Sequence, residues 1–412
     1  MSAFARQRSF WSITGWAGVF GLVMGAVGIA WLGLVEKLPQ ELWGQPTDHD
    51  FAGGTWWWIP LATGFGLLVG LMRRWLTTAR QPDLFAEISD AHVDHKVVAP
   101  SVAVSAMSLM GGASLGPEGG LGLLGGGLGD WIAKRKKADP ETRKAHTLTG
   151  MAGAFGGLFT APLLGPLMIA EIARPGSDRP VERLIPTVVA STLGFAVLYP
   201  VIGHTFLDLY DVPGYDLEVW HMFAAVGIGA VGAVVAVVTG IAIKVAARVT
   251  GPASSHPVAL ATAGGLFIGL MAYLLPLTLF SGSGELEVIV DQGPALGAGL
   301  LIAVIVAKMA TFAASLSTGY IGGTIFPMLF LGGTLGMAIH VIIPGIPVGL
   351  AVPAAMAAVP GAAVAIPFSL IAIVAFAVTV DAANVAPIGI AVLTSYLLVI
   401  GTGLAGQEHS SA

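Results

Sequence analysis

Apolar runs of bilayer length recur along the chain between Phe10 and Gly401, and they decide what it can fold into. Phe10 to Val35, Trp56 to Leu76, Pro186 to Ile202, Trp220 to Val245, Pro257 to Leu275, Leu296 to Ser315 and Ile325 to Ile343 each match the roughly 20 residues that carry a helix across a bilayer. In lipid a backbone must satisfy its own N–H and C=O groups, so such runs become helices. Only 10% of the 412 residues are charged and 55% are hydrophobic, which leaves too little polar surface to cover a water-soluble domain of this size. The 57 Gly and 25 Pro lie inside the apolar runs, where membrane helices tolerate both. The fold class expected is therefore all-α and polytopic. With no Cys, disulfides and thiolate metal sites are excluded. The one dense basic run, Lys134 to Lys137, follows an apolar segment and reads as a membrane flank, so no nucleic-acid partner is expected.

Charge gives a sidedness. Arg6 and Arg8, Arg73 to Arg80, Lys134 to Lys144, Arg174 to Arg183, and Lys244 with Arg248 are expected on the cytoplasmic side of an inner or plasma membrane, the N-terminus included. The stretches 36–54, 208–218 and 281–293 are acid-rich, hold Lys37 alone among bases, and read as external loops; a short apolar piece lies near Glu285 to Val290, and 281–287 is either a solvated loop, the reading preferred, or the lining of an outer vestibule. Lys308, inside an apolar run, reads as a snorkelling or internally paired base rather than a pathway residue. The expected division is a cytoplasmic N-terminus at 1–9, a first membrane repeat at 10–202, an external loop at 203–219, a second repeat at 220–403 and a tail at 404–412.

Between the long runs lie shorter pieces: Val98 to Met110, Glu118 to Ala133, Thr147 to Phe159 and Pro162 to Ile172. Helices too short to span must be buried in protein or line an aqueous cavity. One of them opens on an acid, Glu118, in the Gly-rich stretch Gly111 to Asp130, directly after Pro117. An ionised carboxylate at membrane depth is costly and marks a functional candidate. Pro117 predicts an extended approach that opens into a helix at Glu118, with free N–H groups and the positive dipole end aimed forward. That is an anion site with an acid at its mouth; the alternative is a tightly packed Gly-rich helix with Glu118 in a wet crevice. A second Gly-rich turn opens a helix at Gly319 to Pro327, and paired interruptions in two halves point to a midplane site.

Three ordered blocks resemble a known family. Ser114-Leu-Gly-Pro-Glu-Gly-Gly120 is similar to the G-[KR]-E-G-P signature of the CLC chloride channels and proton-coupled chloride transporters. Gly153-Ala-Phe-Gly-Gly-Leu-Phe-Thr-Ala-Pro-Leu-Leu-Gly-Pro-Leu-Met-Ile-Ala-Glu171 resembles that family's next block. Gly322-Gly-Thr-Ile-Phe-Pro-Met-Leu-Phe-Leu-Gly-Gly-Thr-Leu-Gly336 resembles its G-x-F-x-P block. The likeness spans about 10–404. It departs where Pro117 replaces a base, Gly120 replaces the last Pro, Ile325 takes the Phe position, and Ile172 replaces the second of two paired acids, leaving Glu171. The family's Ser hydroxyl should fall in Arg80 to Phe85, where no Ser stands, and Tyr396 is a poor match for its late Tyr.

The resemblance implies a CLC-like inverted repeat of broken and tilted helices, a homodimer with one pore per subunit, and transport of chloride or another halide such as fluoride. It implies gating and proton transfer by Glu118, with Glu171 as an inner relay acid or merely the partner of a base such as Arg174. With both hydroxyl ligands unplaced, the expected anion donors are the backbone N–H groups of Gly119, Gly120, Thr324, Ile325 and Phe326. No cofactor or metal is expected; His204, His221, His256 and His340 fall singly near span ends. A proton-coupled antiporter, a passive channel and a non-transporting scaffold share this reading. An intramembrane protease is the rival outside it: Gly112-Ala-Ser114 echoes a nucleophile turn, which needs a His base in reach.

Overall fold

The computed structural model describes residues 8–44, 53–173, 180–203, 209–364 and 366–401. Arg6, Arg174, His204, Asp208 and the tail 404–412 lie outside them. Sixteen α-helices run in order among the described residues. In the first half these are α1 (Arg8–Leu32), α2 (Leu38–Trp43), α3 (Trp58–Trp75), α4 (Leu84–Asp90), α5 (His95–Met110), α6 (Glu118–Arg135), α7 (Pro140–Leu158), α8 (Leu164–Ile172) and α9 (Pro180–Ile202). In the second half they are α10 (Val219–Thr250), α11 (Pro257–Leu274), α12 (Ser283–Ser317), α13 (Ile325–Ile342), α14 (Val348–Ala363), α15 (Pro367–Ala377) and α16 (Val385–Gly401). Seven helical stretches among the described residues have the length and composition to cross a membrane.

The packing of the first half recurs in the second. α6 lies on α7, α7 on α9, α1 on α9, α1 on α7 and α5 on α6; the matching pairs are α13 on α14, α14 on α16, α10 on α16, α10 on α14 and α12 on α13. Across the halves, α3 packs on α11 and α8 on α15. This is the inverted repeat of broken helices that the sequence led us to expect. α13 and α14 are buried almost throughout, as are the Gly-rich faces of α6 and α7, while α1, α9, α10 and α16 present Val, Leu, Ile and Phe outward. An apolar outer surface of this kind suits lipid.

Small residues set how closely the central helices approach. A Cβ on Gly125 of α6 would run into the Gly150 carbonyl of α7, and a Cβ on Gly150 into that of Gly125, so either Ala would force the pair apart. The far end of α6 is fastened by charge: buried Asp130 meets Arg143, His95 and Lys134.

Two expected loops are helical. The first span does not stop at Val35 but passes through a π turn, Gly33–Lys37, into α2. The acid-rich stretch 281–293 is mostly the first arm of α12, which bends at Gly297 where φ is 73°. Leu286, Ile289 and Gly293 of that arm are buried while Glu287 and Asp291 are exposed, so it is an amphipathic helix rather than a solvated loop. Lys308 is fully buried and does not snorkel; its Nζ donates to the carbonyls of Thr278, Leu279 and Phe280 at 3.2, 2.9 and 2.8 Å.

Candidate functional site

Two Gly-rich turns meet at the centre of the molecule, each opening a helix. Gly116 and Gly323 pair as an antiparallel bridge, with Gly116 N–H donating to the Gly323 carbonyl at 2.9 Å and Gly323 N–H to the Gly116 carbonyl at 2.7 Å. α6 begins two residues after the first and α13 two residues after the second. Their N-termini therefore share one small volume, where free amides and positive dipole ends accumulate. Pro117 sits at the N-cap of α6, as expected of a residue with no N–H to offer.

Glu118 is the first residue of α6 and is completely buried. Its side chain crosses to the other half, where Oε1 accepts the Ile325 N–H at 2.7 Å. The Phe326 amide also interacts with the carboxylate. Oε2 is buried and finds no partner among the described residues. The carboxylate lies between Gly116 and Gly323, and a Cβ on either would overlap it. The position is thus a slot lined by backbone and shaped for one small acceptor group.

Of the residues expected to cradle an anion, Gly119, Ile325 and Phe326 lie around this slot, with Thr324 as the N-cap of α13. The ring of Phe326 stacks on Phe159, with centroids 5.9 Å apart and planes 4° from parallel. Gly120 is turned to another neighbour, since a Cβ there would meet Trp31. Glu171 stands apart on α8. It accepts the N–H groups of Phe368 and Ser369, each at 2.7 Å, and the Ser369 hydroxyl, so it caps the N-terminus of α15. Among the described residues its partners are helix amides and a hydroxyl; Arg174, the base expected beside it, lies outside them.

Two residues of the site had no signal in the sequence. Gln81 occupies the stretch where a Ser was sought. Its amide donates to the Gly322 carbonyl and accepts the Gly322 N–H at 3.2 Å, holding the second turn as a strand would. Trp31 of α1 donates its indole N–H to the Pro117 carbonyl at 3.1 Å and so fixes the approach to α6. Ser108 and Ser315 complete the fastening: the Ser108 hydroxyl accepts the Ile321 N–H at 3.0 Å, and the Ser315 hydroxyl accepts the Ser114 N–H at 3.2 Å.

Comparison with known proteins bears on the family and the fold. A family model described as "Voltage gated chloride channel" matches residues 54–399. Among curated relatives, "Putative ion-transport protein YfeO" of Salmonella newport (strain SL254) is 26% identical over 351 residues, covering 82% of each chain. The protein of the same name in Escherichia fergusonii is 27% identical over 330 residues, 78% of this chain and 76% of its own. Among solved structures, a slow cyanobacterial Cl-/H+ antiporter superposes with a TM-score of 0.80 at 16% identity, over 96% of this chain and 95% of that one. A CLC-type fluoride/proton antiporter does so with a TM-score of 0.78 at 17% identity, over 97% of both. The last two show a shared fold, and the family match removes the protease reading, since the members of this family are channels and transporters. With its motifs, its repeated helix packing and its matched length in accord, this multi-pass membrane protein belongs to the CLC family of voltage-gated chloride channels.

Proposed function

We propose that the protein is a proton-coupled anion antiporter in which Glu118 serves as both gate and proton carrier. One observation carries the reading: the Glu118 carboxylate accepts the Ile325 N–H at the mouth of two opposed helix N-termini, where a dehydrated halide would find the same donors. Such donors attract an anion without the full fixed charge that would trap it. An ionised Glu118 competes for them; once protonated it withdraws and leaves them to the anion. On this reading the repeats 10–202 and 220–403 supply one wall of the slot each, the protein is a homodimer with one pore per subunit, and the N-terminus is cytoplasmic. The anion is chloride or another halide such as fluoride, held by Gly119, Thr324, Ile325 and Phe326, without the Gly120 that the sequence also suggested.

The test uses protein reconstituted into vesicles under a chloride or a fluoride gradient. Antiport predicts proton movement against its own gradient, driven by the anion, and Glu118→Gln should abolish it. Full proton coupling in E118Q would sink the gate.

We assign Glu171 to the inner end of a proton route on the family resemblance alone, and its bonds to the α15 N-terminus compete with that role. With Ile172 beside it, this favours a second reading, a passive channel. Anion flux with no proton movement in the wild type would select it.

A further inference from the structure

One buried carboxyl takes no part in the anion slot. Glu87 lies on the packed face of α4 with Leu84 and Ile88, and is only 5% exposed. Its Oε1 accepts an N–H of the Arg80 guanidinium at 3.1 Å, and the Arg80 side chain is half-exposed. Its Oε2 is buried and has no hydrogen-bond partner among the described residues. The charged groups that bear on Glu87 are Arg80 and Asp83. On the helices that pack against α4, Asp130 and Lys134 of α6 hold each other and Glu171 of α8 holds α15.

The start of α4 packs beside the slot. A Cβ on Gly119 would come within 3.1 Å of Pro82, and one on Gly122 within 2.8 Å of Leu84. Glu118 and Gly122 are four residues apart on α6, about 6 Å along its axis; Leu84 and Glu87 are three apart on α4, about 4.5 Å. The contact of Leu84 with Gly122 thus links the two carboxyls across an apolar gap, to which Phe155 of α7 also contributes. On its other side Glu87 meets Arg80, which belongs to the basic stretch expected on the cytoplasmic face.

The segment that carries Glu87 is fastened without it. Arg73 donates to the Ala79 carbonyl at 2.5 Å, and the Ser101 hydroxyl accepts the Arg80 N–H at 2.9 Å. Gln81 holds both backbone groups of Gly322, and Asp83 caps α4 by accepting the Ala86 N–H at 3.0 Å. A structural acid at this position would gain little, whereas burying an ionised oxygen without a donor is costly and a proton on it removes the charge. Glu171 is placed differently, since donors at the start of α15 occupy both of its oxygens.

We propose that Glu87 is a proton-transfer residue, which takes a proton from the water beside Arg80 and passes it to Glu118 across the contact of Leu84 with Gly122. One proton leaves the Glu87 carboxyl and one arrives on the Glu118 carboxylate, with water as the carrier between them and no other reactant. The proposal rests on Glu118 as the gate and proton carrier of an antiporter.

The experiment measures proton and anion movement together in vesicles under a chloride or a fluoride gradient. In Glu87→Gln the ratio of proton to anion movement should fall to about a tenth of the wild-type ratio or lower, while anion flux continues. Glu87→Asp keeps a proton-bearing group one carbon further back and should show a ratio between those of E87Q and the wild type. A wild-type ratio in E87Q overturns the assignment. Equal loss of proton and anion movement in E87Q, with a lowered melting temperature, also overturns it, because that is what removal of a structural acid produces. Should E87Q fail to fold, E87D decides alone, and an unchanged ratio there overturns the assignment. Anion flux without proton movement in the wild type overturns the antiport reading and this proposal with it. Wild-type coupling that is lost in E118Q but kept in E87Q overturns this proposal alone.

Discussion

At the scale of single residues, the site depends on what is missing as much as on what is present. Glu118 can cross between the two halves only because residues 116 and 323 lack side chains. Gly323→Ala places a methyl group where the carboxylate lies. Forcing an extra carbon into a packed interior costs about 1–3 kcal/mol. We expect G323A to melt lower than the wild type and to lose proton movement in vesicles; wild-type coupling in this variant would contradict the position assigned to Glu118. Glu118 itself was legible in the sequence as a candidate, because an acid that opens a Gly-rich apolar run directly after a Pro has few other readings. Gln81 and Trp31 were not. Their partners lie 241 and 86 residues away, and nothing local distinguishes a Gln or a Trp that will find a backbone group at such a distance.

At the scale of elements, helix starts were the most legible features because they follow local rules. α6, α11, α13 and α15 begin where a Pro or a Gly-rich turn predicts. The first arm of α12 was only partly read, as a short apolar piece within a loop, because its acids drew attention from the buried Leu286 and Ile289 between them. α7 shows the local logic most fully. Asp139 caps it by accepting the Thr142 hydroxyl at 2.6 Å and the N–H groups of Thr142 and Glu141 at 3.0 and 3.1 Å. The Thr142 hydroxyl, then its amide, hold the Asp139 carboxyl below the usual carboxylate range. Because the folded-state value is the lower one, the cap contributes fully above an unfolded-state pKa of about 3.9, and its contribution is lost as pH falls through the folded value. Asp139→Ala should cost about 1 kcal/mol at neutral pH, toward the lower end of cap effects because the site is exposed. Melting curves of both proteins at pH 7 and at pH 3 should show a gap that narrows in acid; a gap that widens would contradict the cap.

At the scale of the whole molecule, a chain of buried contacts links the halves, crossing between them at the Phe280–Gly112 bond and the Phe280–Trp43 ring contact. Lys308 of α12 holds the carbonyls of residues 278–280, Phe280 N–H reaches the Gly112 carbonyl at 3.3 Å, and Trp43 bonds to Met110 at 2.9 Å and packs edge-on against Phe280. The ammonium therefore steadies the turn that leads to Glu118 from the other half. Lys308→Met keeps the bulk and leaves three buried carbonyls without their donor, each such loss costing about 1–3 kcal/mol. We expect a marked fall in melting temperature, and wild-type melting would show that the carbonyls find other donors. The halves themselves could be inferred from the order of runs and breaks, but these ties could not, since each depends on how distant turns come to rest.

The bond from Glu118 to Ile325 also has a consequence for how the protein is made. Its partners are 207 residues apart. A ribosome adding about 5–20 residues per second needs roughly 10–40 s to travel from one to the other. During that interval α6 to α9 are added to the five helices already made, while the amide that will receive the carboxylate does not yet exist. Glu118 must wait in water or against the insertion machinery, and the slot closes only when the last third of the chain arrives. A fragment ending after α9 would therefore carry the acid but never the place it belongs.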